Sequence, residues 1–245
     1  TTYGRTDVIP RLLLFVGLAL ALASGFLWAP PVAGLEETTR VLYLHIPSAW
    51  IAVLALTWSM AHSALYLRTR RLGHDDHAAA GAELGLLFGV AATVSGSVWA
   101  HARWGAWWNW DPRETTIVLL LLVYGAYLAL RGAIAGEERR ARLAAVYAVL
   151  AFVTVPFLVF VVPRLYDTLH PSPIVPQAGG AGGMHPRVWI CFLAVLAGFT
   201  GLFFWVESLE VRLRRCERRA SVERARRGAV PASAAAGSGP AEGGN

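Results

Sequence analysis

Six long apolar segments dominate this sequence and limit the folds that it can adopt. A helix that crosses a lipid bilayer needs roughly 20 predominantly apolar residues. The segments cover residues 8–28, 48–67, 82–100, 115–130, 143–162 and 188–209. Because lipid offers no hydrogen-bond partners to the backbone, segments of this kind fold as helices. The sequence therefore predicts an all-α membrane protein with six transmembrane helices.

The composition supports this class of protein. Hydrophobic residues make up 56% of the 245 residues, and the mean hydropathy is +0.47. The net charge of +6 would also suit a nucleic-acid partner. The arginines, however, cluster at the ends of the apolar segments, which is typical of topology signals and of contacts with anionic lipid. We therefore expect membrane lipid, and no nucleic acid, among the partners.

The distribution of arginine predicts the orientation in the membrane. The N-terminus, the second and fourth loops and the C-terminal segment hold 17 of the 22 arginines, and the other three loops hold five. By the positive-inside rule, both termini are cytoplasmic and the first, third and fifth loops share the outer face. Composition further divides the chain into a six-helix membrane domain, residues 1–217, and a disordered cytoplasmic tail, residues 218–245.

The third loop, between helices three and four, carries the most unusual motif, with the sequence WGAWWNWDP at residues 104–112. Indole is large and apolar and has one N–H donor, so it favours places that are apolar on one side and polar on the other. Such a segment suits either a flat aromatic ligand or the membrane surface. The following residues, Asp111, Pro112 and Glu114, have the order typical of a helix N-terminus, which predicts that helix four begins there.

Several histidines are candidates for ligand binding. The predicted topology puts His45, at the start of helix two, and His170, in the fifth loop, on the same face as the tryptophans. One such histidine is more often structural than a ligand, but two beside an indole platform favour haem. Imidazole is a common axial ligand of haem iron, and a porphyrin has a flat apolar face. We expect His74 and His77, in the second loop, to be solvated.

These motifs resemble a known family. The pattern Trp104-Gly105-x-x-Trp108-x-Trp110-Asp111 resembles the tryptophan-rich WWD signature of haem-handling proteins in cytochrome c assembly. The length, the six helices and the sequences around His45 and His170 resemble the CcmC family, the haem exporter protein C group, over roughly residues 8 to 212. The resemblance implies that His45 and His170, one from each flanking outer loop, are the axial ligands of haem iron. It also implies a platform for haem b made by Trp104, Gly105, Trp107, Trp108, Trp110 and Asp111.

The resemblance also implies a location and partners. The protein would lie in the bacterial cytoplasmic (inner) membrane with the tryptophan loop in the periplasm. It would deliver haem to the periplasmic haem chaperone CcmE, beside an ABC-type complex of CcmA and CcmB with the small protein CcmD. The sequence has no ATPase motif, so we expect a transfer component and not an enzyme. The alternatives are a CcsA- or CcmF-like haem lyase component that passes haem to apocytochrome c, and a small-molecule membrane transporter.

Overall fold

The computed structural model describes residues 8–32, 34–170 and 185–228, and most of these residues are helical. Its helices are α1 Val8–Leu27, α2 Thr39–Thr69, α3 Leu72–Trp104, α4 Pro112–Ala133, α5 Glu137–Phe152, α6 Thr154–Pro156, a π-helix Phe157–Val161, α7 Val162–Leu165 and α8 Pro186–Gly228. Six helical segments are long and apolar enough to cross a membrane, and the fifth of them runs from α5 through α7. The predicted all-α architecture with six spans is confirmed.

Helices α2 and α3 form an antiparallel pair at the centre of the bundle. Small residues allow their backbones to approach closely, as is common where membrane helices pack. A Cβ atom added at Gly81 would lie 3.0 Å from the carbonyl oxygen of Ala55, and one at Gly85 would lie 2.4 Å from Leu56 Cδ2. The Ser59 hydroxyl also donates a hydrogen bond to a carbonyl oxygen of α3, at 2.7 Å. This pairing brings the first turns of α2 against the last turns of α3.

Helix α2 begins at Thr39, well before the predicted start at Ser48. The prediction assigned Ser48 as an N-cap after Pro47, but both residues lie inside the helix, and Ser48 Oγ donates to the carbonyl oxygen of Leu44 at 2.7 Å. Burial of Tyr43 stabilises the additional turns. Its side chain is 3% exposed and packs in an apolar cluster with residues of α8. His45 therefore lies on a helix and not in an outer loop.

Helix α8 continues past the predicted domain boundary at residue 217 and ends at Gly228. The Arg218 side chain hydrogen-bonds the carboxylates of Asp76 and Glu137, which ties the extension to α3 and α5. Composition alone could not reveal these pairs. Residues 229–245 of the predicted tail, and residues 171–184 of the fifth loop, lie outside the described residues.

The bundle end opposite the tryptophans contains buried polar contacts. Arg131 and Asp75 form a two-point ion pair, with N···O distances of 2.7 and 2.9 Å, and both side chains are less than 10% exposed. His74 and His77, which we expected to be solvated, are partly buried. His77 hydrogen-bonds Glu207 of α8 through Nδ1, and His74 Nδ1 lies 3.3 Å from Nδ1 of His62. The expectation was wrong because α3 begins before these residues and turns them towards α2 and α8.

The ion pair between Arg131 and Asp75 gives a test of the bundle. Replacing Arg131 by Gln leaves a buried carboxylate without its cation, which costs about 3–5 kcal/mol in comparable proteins. We expect a clear loss of thermal stability in detergent, followed by circular dichroism. The control is Arg68→Gln, which removes an exposed arginine at the same end of the bundle. Equal unfolding midpoints for the two variants would contradict the assigned role of the pair.

Candidate functional site

Histidines 45 and 170, here called the histidine pair, both lie at the end of the bundle where α3 ends and α4 begins. His45 lies on the second turn of α2 and faces α3. His170 lies in the segment after α7 and contacts the start of α4. His45 contacts residues of the last turns of α3, and His170 packs against Trp99 on the same part of α3. Both histidines therefore lie at the same end of the bundle, as the predicted topology requires.

The His45 ring is held in one tautomer. Its Nδ1 atom lies 2.8 Å from the carbonyl oxygen of Ala92 on α3. A carbonyl oxygen accepts hydrogen bonds only, so Nδ1 carries the proton and Nε2 keeps its lone pair. Gly96, one turn later on α3, lies against the ring, because a Cβ atom there would be 2.8 Å from His45 Cε1. The backbone of α3 thus fixes the orientation of this imidazole.

The carboxylate of Asp111 holds the second histidine. His170 Nδ1 lies 2.9 Å from Asp111 Oδ1. The same carboxylate accepts hydrogen bonds from the Thr168 hydroxyl, at 2.8 and 3.0 Å, and from the backbone N–H of Leu169, at 2.7 Å. Asp111 therefore fixes the whole segment that carries His170. The sequence analysis placed Asp111 in the platform, whereas the fold gives it contacts that position a histidine.

Asp111 also begins helix α4, as the sequence predicted. It is the N-cap residue and accepts a hydrogen bond from the backbone N–H of Arg113 at 2.9 Å, with Pro112 at the first helical position. Glu114 completes a capping box by accepting from the backbone N–H of Asp111 at 3.3 Å, and it also accepts from that of Asn109 at 2.7 Å. We call residues 104–110 the tryptophan segment. Its C-terminal end is therefore attached to helix α4.

Two tryptophans contact the His170 ring. Trp104 approaches it edge-on, with ring centroids 5.4 Å apart, and Trp99 lies nearly parallel to it at 6.1 Å. The two indoles also pack against each other at 4.9 Å. Trp99 was absent from the predicted site, although its position on α3 just before the tryptophan segment was a usable signal. Trp99 and Trp104 therefore cover part of the His170 ring.

The other tryptophans form the outer part of the segment. Trp107 and Trp110 are 57% and 77% exposed, and Trp108 packs edge-on against Trp110 at 6.0 Å. The chain turns at Gly105, where φ is +76°, and at Trp110, where φ is +56°. A left-handed φ is unusual for a residue as bulky as tryptophan, and it directs the Trp110 indole away from the bundle. The platform therefore has a half-buried tryptophan, Trp104, next to His170 and two exposed ones, Trp107 and Trp110.

Two further histidines lie at this end but do not join the histidine pair. His101 is exposed and stacks on Trp107, with centroids 4.1 Å apart and rings 1° from parallel. His185 is exposed just before α8, and its Nδ1 atom accepts from the backbone N–H of Arg187 at 3.2 Å. Neither residue contacts His45 or His170 through a described interaction.

Three buried donors near the histidine pair have no hydrogen-bond partner among the described residues: Trp99 Nε1, Asn109 Nδ2 and Arg113 Nε. Arg113 also interacts electrostatically with both His45 and His170. Buried polar groups normally have partners, so these three donors are available to a polar or anionic ligand. The sequence shows Arg113 only as part of the motif that begins helix α4, so the unpaired Arg113 nitrogen was not predicted.

The side chains at this end are of the types that can hold haem. Two imidazoles whose Nδ1 atoms are already bonded present free Nε2 atoms, which is the form that ligates iron. Indoles supply flat apolar surface for a porphyrin. The unpaired guanidinium nitrogen of Arg113 suits the carboxylate groups that haem carries on one edge.

The surroundings of His170 keep its imidazole neutral at neutral pH. Burial lowers the pKa of His170 to about 4, while the Asp111 carboxylate opposes this effect and the Arg113 charge adds to it. For Asp111 itself, burial would raise the pKa, but hydrogen bonds from Arg113 N–H, Thr168 and Leu169 together lower it below the usual range. At pH 7 the site therefore holds a neutral imidazole and an ionised carboxylate.

The lowered pKa of His170 predicts a pH-dependent stability. Unfolded histidine takes up a proton near pH 6.5, whereas folded His170 stays neutral to about pH 4. The unfolded state therefore binds more protons in this window, and stability falls as the pH drops from 6.5 towards 4. We expect a loss on the order of 1–2 kcal/mol between pH 7 and 5, and a smaller loss in His170→Gln. Equal losses in both proteins, measured by thermal unfolding, would contradict the assignment.

Comparison with known proteins assigns the chain to a family. Residues 5–226 match the CcmC family, described as Heme exporter protein C. Heme exporter protein C of Bradyrhizobium diazoefficiens is 31% identical over 204 residues, which cover 82% of this chain and 77% of that protein. The protein of the same name from Haemophilus influenzae is 26% identical over 223 residues, 86% of this chain and 85% of its own.

A plant relative is also similar. A protein of Marchantia polymorpha named as a putative cytochrome c biosynthesis ccmC-like mitochondrial protein is 28% identical over 180 residues, covering 72% of this chain and 75% of that protein. The family match spans most of the sequence and includes both histidines and the tryptophan segment. This chain therefore belongs to the CcmC family of haem exporter proteins, the membrane components of haem delivery for cytochrome c maturation.

Proposed function

We propose that this chain holds haem b at the periplasmic face of the bacterial cytoplasmic membrane and delivers it to the periplasmic haem chaperone CcmE. In this proposal both termini are cytoplasmic, as the arginine distribution indicates. The main support is the histidine pair, because each imidazole has its Nδ1 atom bonded and its Nε2 atom free. His45 and His170 are then the two axial ligands of the iron.

The two ligands differ in how firmly they are held, which suits binding followed by release. His45 lies on a membrane-spanning helix and bonds the backbone of α3. His170 lies on a short segment after α7 that is attached to α4 mainly through Asp111. If the hydrogen bonds to Asp111 break, this segment can move and withdraw one ligand while the other stays in place. Segments of this kind move more easily than packed helices.

The tryptophan segment acts as a platform with two halves. Trp104 supports His170 from the inside, together with Trp99. Trp107 and Trp110 are exposed and so accessible to an incoming partner. Trp108 packs against Trp110, and Gly105 provides the turn that the segment needs. A ligand on this platform is covered on one side and reachable from the other.

Arg113 and Asn109 complete the proposed site by binding the anionic edge of haem. Arg113 lies in the first turn of α4, and its Nε atom is buried without a partner. Asn109 also has an unpaired buried side-chain nitrogen. A carboxylate between these donors would satisfy both, and a guanidinium binds a carboxylate through charge-assisted hydrogen bonds.

The chain works within a haem exporter system that includes ABC-type partners, as its family does. We propose that these partners are CcmA and CcmB, with the small protein CcmD. In this division of work, ATP hydrolysis takes place on CcmA, while the present chain binds and transfers haem without catalysing a reaction of its own. Membrane lipid surrounds the six helices.

The two alternative functions have less support. A CcsA- or CcmF-like haem lyase component is disfavoured because the CcmC family matches residues 5–226. A transporter needs ionisable groups available to a substrate within the membrane. In the part of the chain that the structure describes, buried Asp75, Arg131 and Glu207 are engaged with other side chains instead.

Replacement of each ligand histidine tests the proposal. In purified protein, we expect His45→Ala and His170→Ala each to lower haem content strongly and to change the Soret band, because each removes one axial nitrogen. His101→Ala is the matched control, since His101 lies at the same end but contacts only Trp107 among the aromatic rings described. Unchanged spectra in both ligand variants, or an equal loss in the control, would refute the assignment.

Gly96 offers a second test that leaves both ligands in the sequence. In Gly96→Ala the new Cβ atom would lie 2.8 Å from Cε1 and 3.1 Å from Nδ1 of His45, so the ring must move. Because the orientation of a ligating histidine depends on its second hydrogen bond, we expect haem affinity to fall about 10- to 100-fold. The control is Gly125→Ala, where an added Cβ atom meets nothing within 4 Å. Absorbance titration with haemin measures both variants, and equal affinities would count against the role of His45.

A further inference from the structure

A cavity rich in arginine opens at the bundle end opposite the histidine pair, between the end of α2 and the start of α5. Its volume is about 340 Å³, and its lining consists of Tyr66, Arg70, Glu138, Arg139 and Arg142. Three positive charges face one negative charge, which leaves an excess of two positive charges. In the described part of the chain, no carboxylate forms an ion pair with any of these three arginines. We call this feature the arginine cavity.

A second cavity at the same end has balanced charges and so gives a comparison for the positive excess of the arginine cavity. Its volume is about 350 Å³, and its charged lining residues are Arg131, Arg140, Arg214, Arg218, Asp75, Asp76, Glu137 and Glu217. The four arginines are balanced by four carboxylates, and several of them form ion pairs across helices. The charges of this second cavity are therefore balanced, whereas the arginine cavity has an excess of two positive charges.

The helix beside the arginine cavity continues as an apolar surface. On α5, Arg139 and Arg142 are followed at helical spacing by Leu143, Val146 and Leu150, which are 41%, 42% and 67% exposed. Residues three or four positions apart lie on one face of a helix. This face thus has cations at its end and apolar side chains along the membrane-spanning part.

We propose that the arginine cavity binds the phosphate group of an anionic phospholipid, whose acyl chain lies along the exposed face of α5. The charge excess at the end of a membrane helix matches a lipid phosphate, and basic pockets between such helices are suited to lipid headgroups. The apolar stripe matches the other half of the same molecule, which inorganic phosphate lacks. This inference does not depend on the haem-binding proposal, since it concerns the other end of the bundle.

The test compares lipid binding by the full chain and by two double variants. Native mass spectrometry in detergent would measure retention of phosphatidylglycerol against phosphatidylcholine with the same acyl chains. We expect the unmodified chain to prefer phosphatidylglycerol and Arg139→Gln/Arg142→Gln to lose this preference by about tenfold or more. The matched control is Arg68→Gln/Arg71→Gln, which removes two exposed arginines at the same end that do not line the cavity.

Three results would overturn the proposal. The first is equal retention of the two lipids by the unmodified chain, and the second is an equal loss in both double variants. The third is displacement of phosphatidylglycerol by inorganic phosphate at the same concentration, which would indicate a free-anion site. If Arg139→Gln/Arg142→Gln does not fold, Arg139→Lys/Arg142→Lys replaces it, and this variant should retain the preference because it keeps the charge. Haem content should stay unchanged in all of these variants.

Discussion

The site depends on one buried carboxylate. Asp111 is 4% exposed, begins helix α4, and accepts hydrogen bonds from the segment that carries His170. A helix N-terminus stabilises negative charge, so this aspartate is ionised where it can hold both the helix and the histidine. Because the tryptophan segment ends at the same residue, the position of the platform and that of one proposed iron ligand are set together.

The second constraint is the close pairing of α2 and α3. Glycines at the contact allow the two backbones to approach, and the Ala92 carbonyl oxygen then fixes the His45 ring. The two histidines are thus held by different means, one by the backbone of a packed helix and the other by a side chain at a helix start. In the function that we propose, this difference would let haem stay bound to one histidine while the other is withdrawn.

Predictions from the sequence were confirmed where they depended only on residues that are neighbours in the chain. The length of the apolar segments predicts the spans, and the order of Asp111, Pro112 and Glu114 predicts the start of α4. The prediction was wrong at the start of α2, where a proline followed by serine is typical of a helix boundary but burial of Tyr43 continues the helix. The sequence could not assign partners to His77, because Glu207 is distant in sequence.

The sequence by itself determined the membrane class, the number of spans and the family resemblance, and it predicted a tryptophan segment on the same face as two histidines. These properties follow from hydropathy, charge and motifs, which are local. Only the tertiary structure decided that Asp111 positions His170, that Trp99 belongs to the site and that Arg113 has a buried unpaired nitrogen. These contacts join segments that are distant in the sequence, so only the packing of the helices determines them.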